Sequence, residues 1–565
     1  MSHRHIVSSV LALLVGVAAL AACGDQNDPG YWVGKLDDAV YRRQAIEQIG
    51  RLYGNALSKN GGNRQAAPVK AIADTTIGPL VETYRGHAED NQNRIRIVQL
   101  LKDMRDPRAM PALLAALDFT PDINEEGAAA AAEAIALIQP PQVAAIPKLG
   151  EAYGRINGAR GIDNRLRISF IRALAMMNDR AAVPHLVRIM ETESESQTYI
   201  INFLAASKIG EFRDPSSVAP LILAMFRCRV EQNGINKLDG AAVASLVRIG
   251  RPALQPLIDT LQGRNAEALA TTRRCMEQVR RRIPDAPNEP EAEVTRLAGY
   301  AIGQLGFAEG IAPLRAFLAD PKPSTRLAAA VSLASIGRSP ELFDAISPIY
   351  VRCPADATEA QQARCFADER MRGQLLVALR RLNDARAIPV FQRIAQDADE
   401  DIQNRGLAFQ GLVYLGGADA LPLAQAAIAA EERRGDDAIM TESFRELLPI
   451  LELTRSCNTV ACWVGKLADR DAKVVRKAAH MLVLTAGNES AAAVTGLVAN
   501  LGHSNEEARV EILYALDALS PRGNAAAVAR IDELERTEEG RAIWEHTKPN
   551  MLQTRARLAA RAGGS

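Results

Sequence analysis

Apolar residues recur along this chain with the spacing of helices that bury one face. The segments "RLAGYAIGQLG", "RLAAAVSLASIG" and "RGLAFQGLVYLG" each open with arginine, repeat apolar residues at i, i+3, i+4 and i+7, and end in glycine. This period predicts an amphipathic helix in each segment. The glycines expected to end such helices in the left-handed conformation are Gly50, Gly210, Gly250, Gly306, Gly337 and Gly416.

A second pattern precedes most of these segments: small residues, a proline, then apolar residues, as in "RAMPALLAAL" and "SVAPLILAMF". Successive prolines of this kind lie 32 to 41 residues apart, with one interval of 57. Asp106 and Asp214 each stand before another proline, so both are predicted helix N-caps. Pro111 and Pro220 then fall inside the predicted helix, where we expect them to bend it.

The alternation of two helical patterns predicts stacked helical pairs. A pair of such short helices cannot bury both apolar faces alone, whereas stacking pair on pair buries a continuous core. We therefore predict an all-α fold, an α-solenoid of about 13–14 helical hairpins over residues 31–562, with 563–565 as a frayed tail.

These residues resemble the HEAT-repeat family, including its HEAT-like variety. The shared marks are proline-leucine in the first helix (A), an aspartate at the turn, and an arginine early in the second helix (B). Tetratricopeptide and ankyrin signatures are absent. The resemblance implies a ladder of turn-and-arginine pairs between neighbouring repeats. The candidate pairs are Asp37 with Arg43, Asp320 with Arg326, and Asp469 with Arg476.

One surface motif occurs twice, as "YWVGKLDD" from Tyr31 and "CWVGKLAD" from Cys462. In each copy, tryptophan replaces the proline-leucine of helix A. Trp32 and Trp463 are interpreted as core residues that hold one repeat on the next, with a paired ligand site as the functional alternative.

Two segments interrupt the regular spacing of the repeats. Residues 262–293 are predicted to be an insertion, formed by a basic helix and an acidic linker, and residues 353–370 are predicted to lengthen one B helix. The cluster from Arg273 to Arg282 could bind anionic lipid or an acidic partner. The alternative is a solvated helix face that nearby carboxylates, Glu291 and Glu293 among them, partly neutralise.

The first 22 residues have the pattern of a secretory signal: a short polar start and the apolar stretch Ile6–Leu20. This stretch ends in "LAAC", which resembles the lipobox of bacterial lipoproteins. The resemblance implies that Cys23 becomes the lipidated first residue and anchors the protein to the membrane. Residues 23–30 are then a tether. Because Gly24 is not aspartate, the outer membrane is the expected location, with the periplasmic or cell-surface side open.

Six cysteines remain after Cys23, and an even number in an exported chain permits three disulfides. The nearest-neighbour pairings are Cys228 with Cys275, Cys353 with Cys365, and Cys457 with Cys462. Fifteen connectivities are possible, and buried free thiols are the alternative.

Charge and motif content narrow the function classes. Lys plus Arg and Asp plus Glu balance at 67 each, which disfavours bulk nucleic-acid binding. The chain lacks a C-x-x-C, an H-E-x-x-H, a G-x-S-x-G and a P-loop, so no catalytic, metal or cofactor-binding residue is predicted.

The sequence therefore predicts a non-catalytic scaffold of the bacterial envelope that binds unidentified proteins on the concave face of the solenoid. Two alternatives stay open. One is a HEAT-like enzyme of the bilin-lyase kind, and the other is an assembly or maturation factor for envelope components.

Overall fold

Aspartate caps open the first helices of the pairs. The side chain of Asp106 accepts a hydrogen bond of 2.9 Å from the backbone N–H of Arg108, and Asp214 accepts one of the same length from Ser216. Each aspartate is followed by proline and a single 3-10 turn, after which an α-helix begins. Both predicted N-caps are confirmed, and the fixed φ of proline explains why the turn starts there.

Pro111 and Pro220 of the repeat lie at the starts of their α-helices and not inside them. Pro111 lies in the first turn of the helix Met110–Ala116, and Pro220 lies in the first turn of Val218–Phe226. Backbone N–H groups of a first turn have no partner within the helix, so proline removes no hydrogen bond there. The predicted position inside the helix is wrong for both prolines, whereas Pro79 does lie inside its helix, Ala67–Gly86.

The computed structural model describes residues 25–231, 234–337, 340–435, 438–520, 523–537 and 548–562. The chain divides into two compact units, Met1–Lys208 and Ile209–Ser565, called unit 1 and unit 2. The predicted signal segment, Cys23 and the predicted tail lie outside the described residues.

The described residues of unit 1 form ten α-helices, the last of which ends one residue beyond the boundary. They are α1 Pro29–Val33, α2 Arg42–Lys59, α3 Ala67–Gly86, α4 Asn91–Met104, α5 Met110–Ala116, α6 Glu125–Leu137, α7 Ile146–Tyr153, α8 Gly161–Met176, α9 Val183–Glu191 and α10 Tyr199–Ile209.

Unit 2 continues the alternation and adds one antiparallel hairpin. Its elements begin with α11 Val218–Phe226, β1 Cys228–Glu231, β2 Gly234–Lys237, α12 Asp239–Ile249, α13 Leu254–Leu261, α14 Ala266–Arg282, α15 Pro290–Leu305, α16 Ile311–Arg315, α17 Pro323–Ile336, α18 Pro340–Ile346, α19 Glu359–Gln362 and α20 Glu369–Arg381. They continue with α21 Ile388–Gln396, α22 Ile402–Leu415, α23 Leu421–Arg434, α24 Ala438–Glu452, α25 Val460–Lys466, α26 Ala472–Thr485, α27 Ser490–Ala499, α28 Glu506–Leu519, α29 Ala525–Arg536 and α30 Lys548–Ala562.

Within each unit, the helices form pairs of an A helix and a B helix. The described residues contain fourteen such pairs, so the predicted all-α solenoid of about 13–14 hairpins is confirmed. The B helices are α2, α4, α6, α8, α10, α12, α15, α17, α20, α22, α24, α26, α28 and α30. Neighbouring B helices pack side by side, and α15 and α17 approach so closely that a Cβ on Gly303 would lie 2.6 Å from the carbonyl oxygen of Ser332.

Only some of the predicted glycine stops are left-handed. Gly250, Gly306 and Gly337 have φ of 82°, 71° and 134°. Gly50 lies inside α2, which continues to Lys59. Gly210 and Gly416 lack positive φ, and at Gly210 the constraint is space, because an added Cβ would lie 2.6 Å from the Cα of Ser245. The prediction is therefore wrong at these last three positions.

The segment around 353–370 does not lengthen a B helix. It is a loop that carries the short helix α19, and α20 begins only at Glu369. The backbone N–H of Phe366 donates to the carbonyl of Val351 at 2.8 Å, which ties the two ends of the loop together. A continuous helix would hold these residues apart, so the prediction is wrong.

A helix that crosses a bilayer must meet two requirements, sufficient length and sufficient apolarity. Within the described ranges, no single helix meets both, and one pair of helices bent by 113°, Ala472–Thr485 with Gly487–Ala499, meets them only when joined.

Candidate functional site

Four B helices of unit 2 place a buried arginine three residues after their first residue. They are Arg326, Arg372, Arg405 and Arg509, each 3–5% exposed. Each guanidinium donates to backbone carbonyls of the turn that precedes its helix. Arg326, for example, donates to Asp320 and Pro321, both at 2.9 Å. These arginines therefore satisfy turn carbonyls that would otherwise be buried without a partner.

The turn-and-arginine prediction is correct in kind and partly wrong in its atoms and residues. Arg326 binds the backbone of Asp320 and not its carboxylate. Near the start of the chain, the buried residue is Arg42, which donates to the carbonyl of Leu36 at 2.8 Å, whereas Arg43 is exposed and pairs with Glu47.

Arg476 also differs from the prediction. It lies 2.8 Å from Glu511 of α28 and does not pair with Asp469 in the described structure. The third residue after the start of α26 is Val475, so this repeat lacks the buried arginine.

The same arginines connect neighbouring pairs, as the family resemblance implied. Arg326 donates to the carbonyls of Ala363 and Cys365, each at 2.8 Å, and Arg405 forms an ion pair of 3.0 Å with Glu431. Because these guanidinium groups are buried and hydrogen-bonded to the protein itself, the arginines form a structural ladder.

The six cysteines that follow Cys23 come together as three disulfides. The structure bonds Cys228 to Cys275, Cys353 to Cys365, and Cys457 to Cys462, with Cα separations of 5.5, 5.0 and 5.5 Å. The first bond connects the hairpin strand β1 to α14. The third connects the turn before α25 to α25 itself, next to Trp463.

Both tryptophans of the repeated motif lie in the protein interior. Trp32 is 4% exposed and Trp463 is 1% exposed, and the indole N–H of Trp32 donates to the carbonyl of Gln26 at 2.8 Å. This placement agrees with the core interpretation and leaves neither ring face accessible to a ligand.

The basic cluster occupies α14, the helix inside the predicted insertion. Arg273, Arg280, Arg281 and Arg282 are exposed, and Arg273 forms an ion pair of 2.7 Å with Glu291. Arg282 donates to the carbonyl of Glu231, so it is bound to the hairpin. These contacts favour the solvated, partly neutralised face over a lipid-binding patch.

The inner edge of unit 2 is closed by its own last repeats. The C-terminal ends of α12, α15, α17, α20 and α22 meet residues of α26, α28 and α30, and we call this set of contacts the closing seam. Helix C-termini carry partial negative charge and free carbonyls. Most of the side chains that contact these C-termini in the closing seam are cationic, as this charge leads one to expect.

Lys477 of α26 binds the end of α22. Its side chain is fully buried, and its ammonium donates to the carbonyl of Val413 at 2.8 Å, to that of Tyr414 at 3.3 Å, and to that of Gly416. Burial lowers the pKa of Lys477 to about 7, although the Asp419 carboxylate acts in the opposite direction. This amine is a C-terminal cap of α22.

His480, one turn further along α26, contacts the end of α20. Its Nδ1 is hydrogen-bonded to the side-chain oxygen of Asn383. Burial, together with the nearby Arg380 and Arg476, holds the pKa of His480 well below its usual range, so the ring is neutral at neutral pH. A neutral, enclosed imidazole with this partner has a structural role.

Helix α30 provides the other end of the seam. Arg557 donates to the carbonyl of Ser335 at 2.7 Å and pairs with Asp517 of α28 at 2.8 Å. Arg561 pairs with the same carboxylate at 3.0 Å. Burial lowers the pKa of Arg557 to about 10 against the effect of Asp517, so it remains charged at neutral pH.

A polar cleft of about 410 Å³ lies in unit 1, beside α7 and α9. Its lining includes Tyr153, Arg167, His185 and Gln197, but Arg167 donates to the carbonyl of Ser196 at 3.0 Å and Tyr153 to the side chain of Gln197 at 2.6 Å. Burial lowers the pKa of His185, and Arg188 adds to this effect. The cleft therefore offers no paired acid and base.

The described residues contain no group of three or more His, Cys, Asp or Glu side chains that could hold a metal ion. The histidines His87, His185, His480 and His503 lie in separate places, and His546 is outside the described residues.

The B helix α10 presents two neighbouring apolar side chains to solvent. On α10, Ile200 is 62% exposed and Phe203 is 41% exposed, while Ile201 and Ala205 are buried. Positions 200 and 203 lie on one face of the helix. We call Ile200 and Phe203 the α10 patch. A sequence reading could have found it, because "TYIINFLAASKI" is apolar on all sides.

Comparison with known families gives a match over part of the chain. Residues 285–364 match the family model described as HEAT repeats. No curated protein matches the chain.

Among solved structures, the chain is similar to yeast importin-β (Kap95p), at 13% identity and TM-score 0.30, over 98% of this chain and 78% of that one. It is also similar to Kap95p in a structure with RanGDP, at 12% identity and TM-score 0.40, over 93% of this chain and 80% of that one. No conclusion about function follows from likeness at this level. The protein is an all-α solenoid of HEAT-like helical pairs, with a HEAT-repeat family match over residues 285–364.

Proposed function

We propose that this protein is a non-catalytic interaction scaffold that binds other proteins through the exposed surface of its B helices. The observation that carries the proposal is the α10 patch, where Ile200 and Phe203 expose apolar surface on a B helix. Exposed apolar side chains that share one face are typical of protein-binding surfaces. The buried arginines and lysine of the ladder and the closing seam, by contrast, are bound to the protein itself.

The proposal extends to the location of the protein. The lipobox-like "LAAC" supports lipidation at Cys23 and attachment to the bacterial envelope, with the outer membrane favoured. In that setting, the scaffold would hold partners near the membrane. Assembly or maturation of envelope components is a special case of this function.

Site-resolved photo-crosslinking in intact cells tests the scaffold function. A photoreactive residue is placed at Phe203, and the matched control carries it at Arg188, which is exposed on the A helix α9. We expect a discrete crosslinked species from position 203 and none from position 188. Equal products from both positions, or none from either, would contradict binding through the B helices.

No described cluster of residues favours the enzymatic alternative of the bilin-lyase kind. The absorbance spectrum of the purified protein tests it separately, because a bound bilin absorbs visible light. A visible band would support that alternative against the scaffold.

A further inference from the structure

Helix α30 lies at the inner edge of unit 2 and has two contact sides, one on its own repeat and one on distant repeats. One side of it packs on its own repeat: Met551 and Leu558 belong to the apolar cluster that includes residues of α28 and α29. The other side meets the ends of three B helices that are distant in sequence, α12, α15 and α17. The helix therefore fills a groove between the first three repeats of unit 2 and helix α28.

The groove recognises arginine on this helix. Ser335 contributes one of the last carbonyls of α17, which accepts a hydrogen bond from Arg557, and the Asp517 carboxylate forms ion pairs with both Arg557 and Arg561. A Cβ added to Gly306, at the end of α15, would collide with the guanidinium groups of both arginines. Carbonyls at helix C-termini and a carboxylate together form an acidic edge.

The arginine contacts are incomplete. Nε of Arg557, and Nε and Nη2 of Arg561, are buried without a hydrogen-bond partner among the described residues. Buried N–H groups left unpaired reduce the stability of an interface. The apolar side of α30 is well packed, so this polar side is the weaker of its two attachments.

We propose that this groove is a docking site for a partner helix, and that α30 occupies it in the resting chain. The partner is an amphipathic helix that carries two arginines four residues apart beside a buried leucine, which is the arrangement of Arg557, Leu558 and Arg561. The proposal rests on the proposed scaffold function and names a second surface for it.

A labelled peptide with the sequence of Lys548–Ala562 is the probe, and its binding is measured by fluorescence anisotropy. The proteins are the chain from residue 24, and the same chain ending at Thr537. We expect the shortened chain to bind the peptide and the full chain to bind it about 100-fold more weakly. The reason is that a tethered helix competes at an effective concentration on the order of millimolar.

Variants of the peptide and of the protein test which side chains form the contacts in the groove. A peptide with R557Q and R561Q should bind the shortened chain at least about 10-fold more weakly, because both contacts with Asp517 are lost. The control peptide carries R555Q, since Arg555 pairs with the partly exposed Asp532 of α29, and it should lose less than about 5-fold. Asp517→Asn in the protein should reproduce the loss caused by R557Q and R561Q.

Three results would overturn the proposal: a folded shortened chain that does not bind the peptide, equal binding by the two variant peptides, or equal binding by the full and shortened chains.

If the shortened chain fails to fold, hydrogen exchange of the full chain tests the proposal instead. Amides of Met551–Ala562 should exchange faster than those of Ala508–Leu516. Equal exchange of both segments would make α30 a permanent part of the core. A retained crosslink at Phe203 in any of these cases would leave the scaffold function standing.

Discussion

Arg372 and Glu400 form an ion pair inside unit 2, with Nη2 of the arginine 2.7 Å from Oε1 of the carboxylate and both side chains at most 6% exposed. Arg372 also donates to the carbonyl of Ala367 at 2.7 Å, and Glu400 accepts from the hydroxyl of Tyr350 at 3.0 Å. Burial alone would raise the pKa of Glu400, but its hydrogen bonds, led by that from Arg372, hold the pKa below its usual range. One pair therefore connects two consecutive repeats.

Arg372→Ala should lower the free energy of unfolding by about 3–5 kcal/mol, because it leaves the Glu400 carboxylate buried without its counter-ion. The control is Arg370→Ala, an exposed position on the same helix, with an expected change within about 0.5 kcal/mol. Urea unfolding followed by circular dichroism measures both. Similar values for the two variants would show that the ladder does not stabilise the stack.

Lys477→Met should destabilise the protein by about 1–3 kcal/mol, because carbonyls at the end of α22 lose their donor. The control is Lys473→Met on the same helix, where the lysine is 43% exposed and pairs with Glu446, and the loss should stay below about 1 kcal/mol. Thermal unfolding compares the two variants.

The effect of Lys477 should also depend on pH. The pKa of Lys477 is about 7 in the folded protein, and about 10.4 in the unfolded chain. Between about pH 7 and about pH 10.4, the unfolded chain therefore binds one more proton than the folded protein. The stability of the wild type relative to Lys477→Met should therefore rise from pH 7 to pH 9, by at most about 1.4 kcal/mol per pH unit. A difference that stays constant or shrinks over this range would show that the ammonium remains charged when buried.

The disulfides should differ in their contribution to stability. Cys228 and Cys275 are 47 residues apart, whereas Cys457 and Cys462 are 5 apart. On the loop-entropy model, replacing the first pair by serine should cost about 4 kcal/mol and the second about 2 kcal/mol. Mass mapping of non-reduced peptides from exported protein checks the pairing first. Either thiol of a pair found free, or joined to another partner, would contradict it.

Lipidation at Cys23 should determine membrane attachment. The wild type should partition into the detergent phase, and Cys23→Ser should remain in the aqueous phase because no acyl chain is added. Phase separation followed by mass spectrometry of the N-terminus measures both. A variant that still enters detergent with the same mature N-terminus would exclude the lipobox.

The helical pairs could be predicted from the sequence because they depend on local signals. Apolar spacing places the B helices, and Asp106 and Asp214 mark the starts of A helices through hydrogen bonds to residues two positions away. In the first repeat, the sequence predicts Arg43 as the ladder residue, whereas Arg42 is the buried one. The reason is that the sequence pattern does not fix the rotation of α2 relative to its turn.

The closing seam could not be predicted for a different physical reason. Lys477 and Arg557 have the sequence context of solvent-facing cations on amphipathic helices. Their partners are 64 and 222 residues away, at Val413 and Ser335. Such contacts depend on the small rotations between successive repeats, which add up along the stack and leave no local signal.

The central claim is that this protein acts by binding partners on its B helices. The most direct measurement is hydrogen exchange of this protein, both free and bound to the partner captured through position 203. Amides that exchange more slowly in the bound form mark the binding surface. We expect slower exchange in the B helices α8 and α10 and no change in the A helices α7 and α9. Protection confined to the A helices, or no protection at all, would contradict the account.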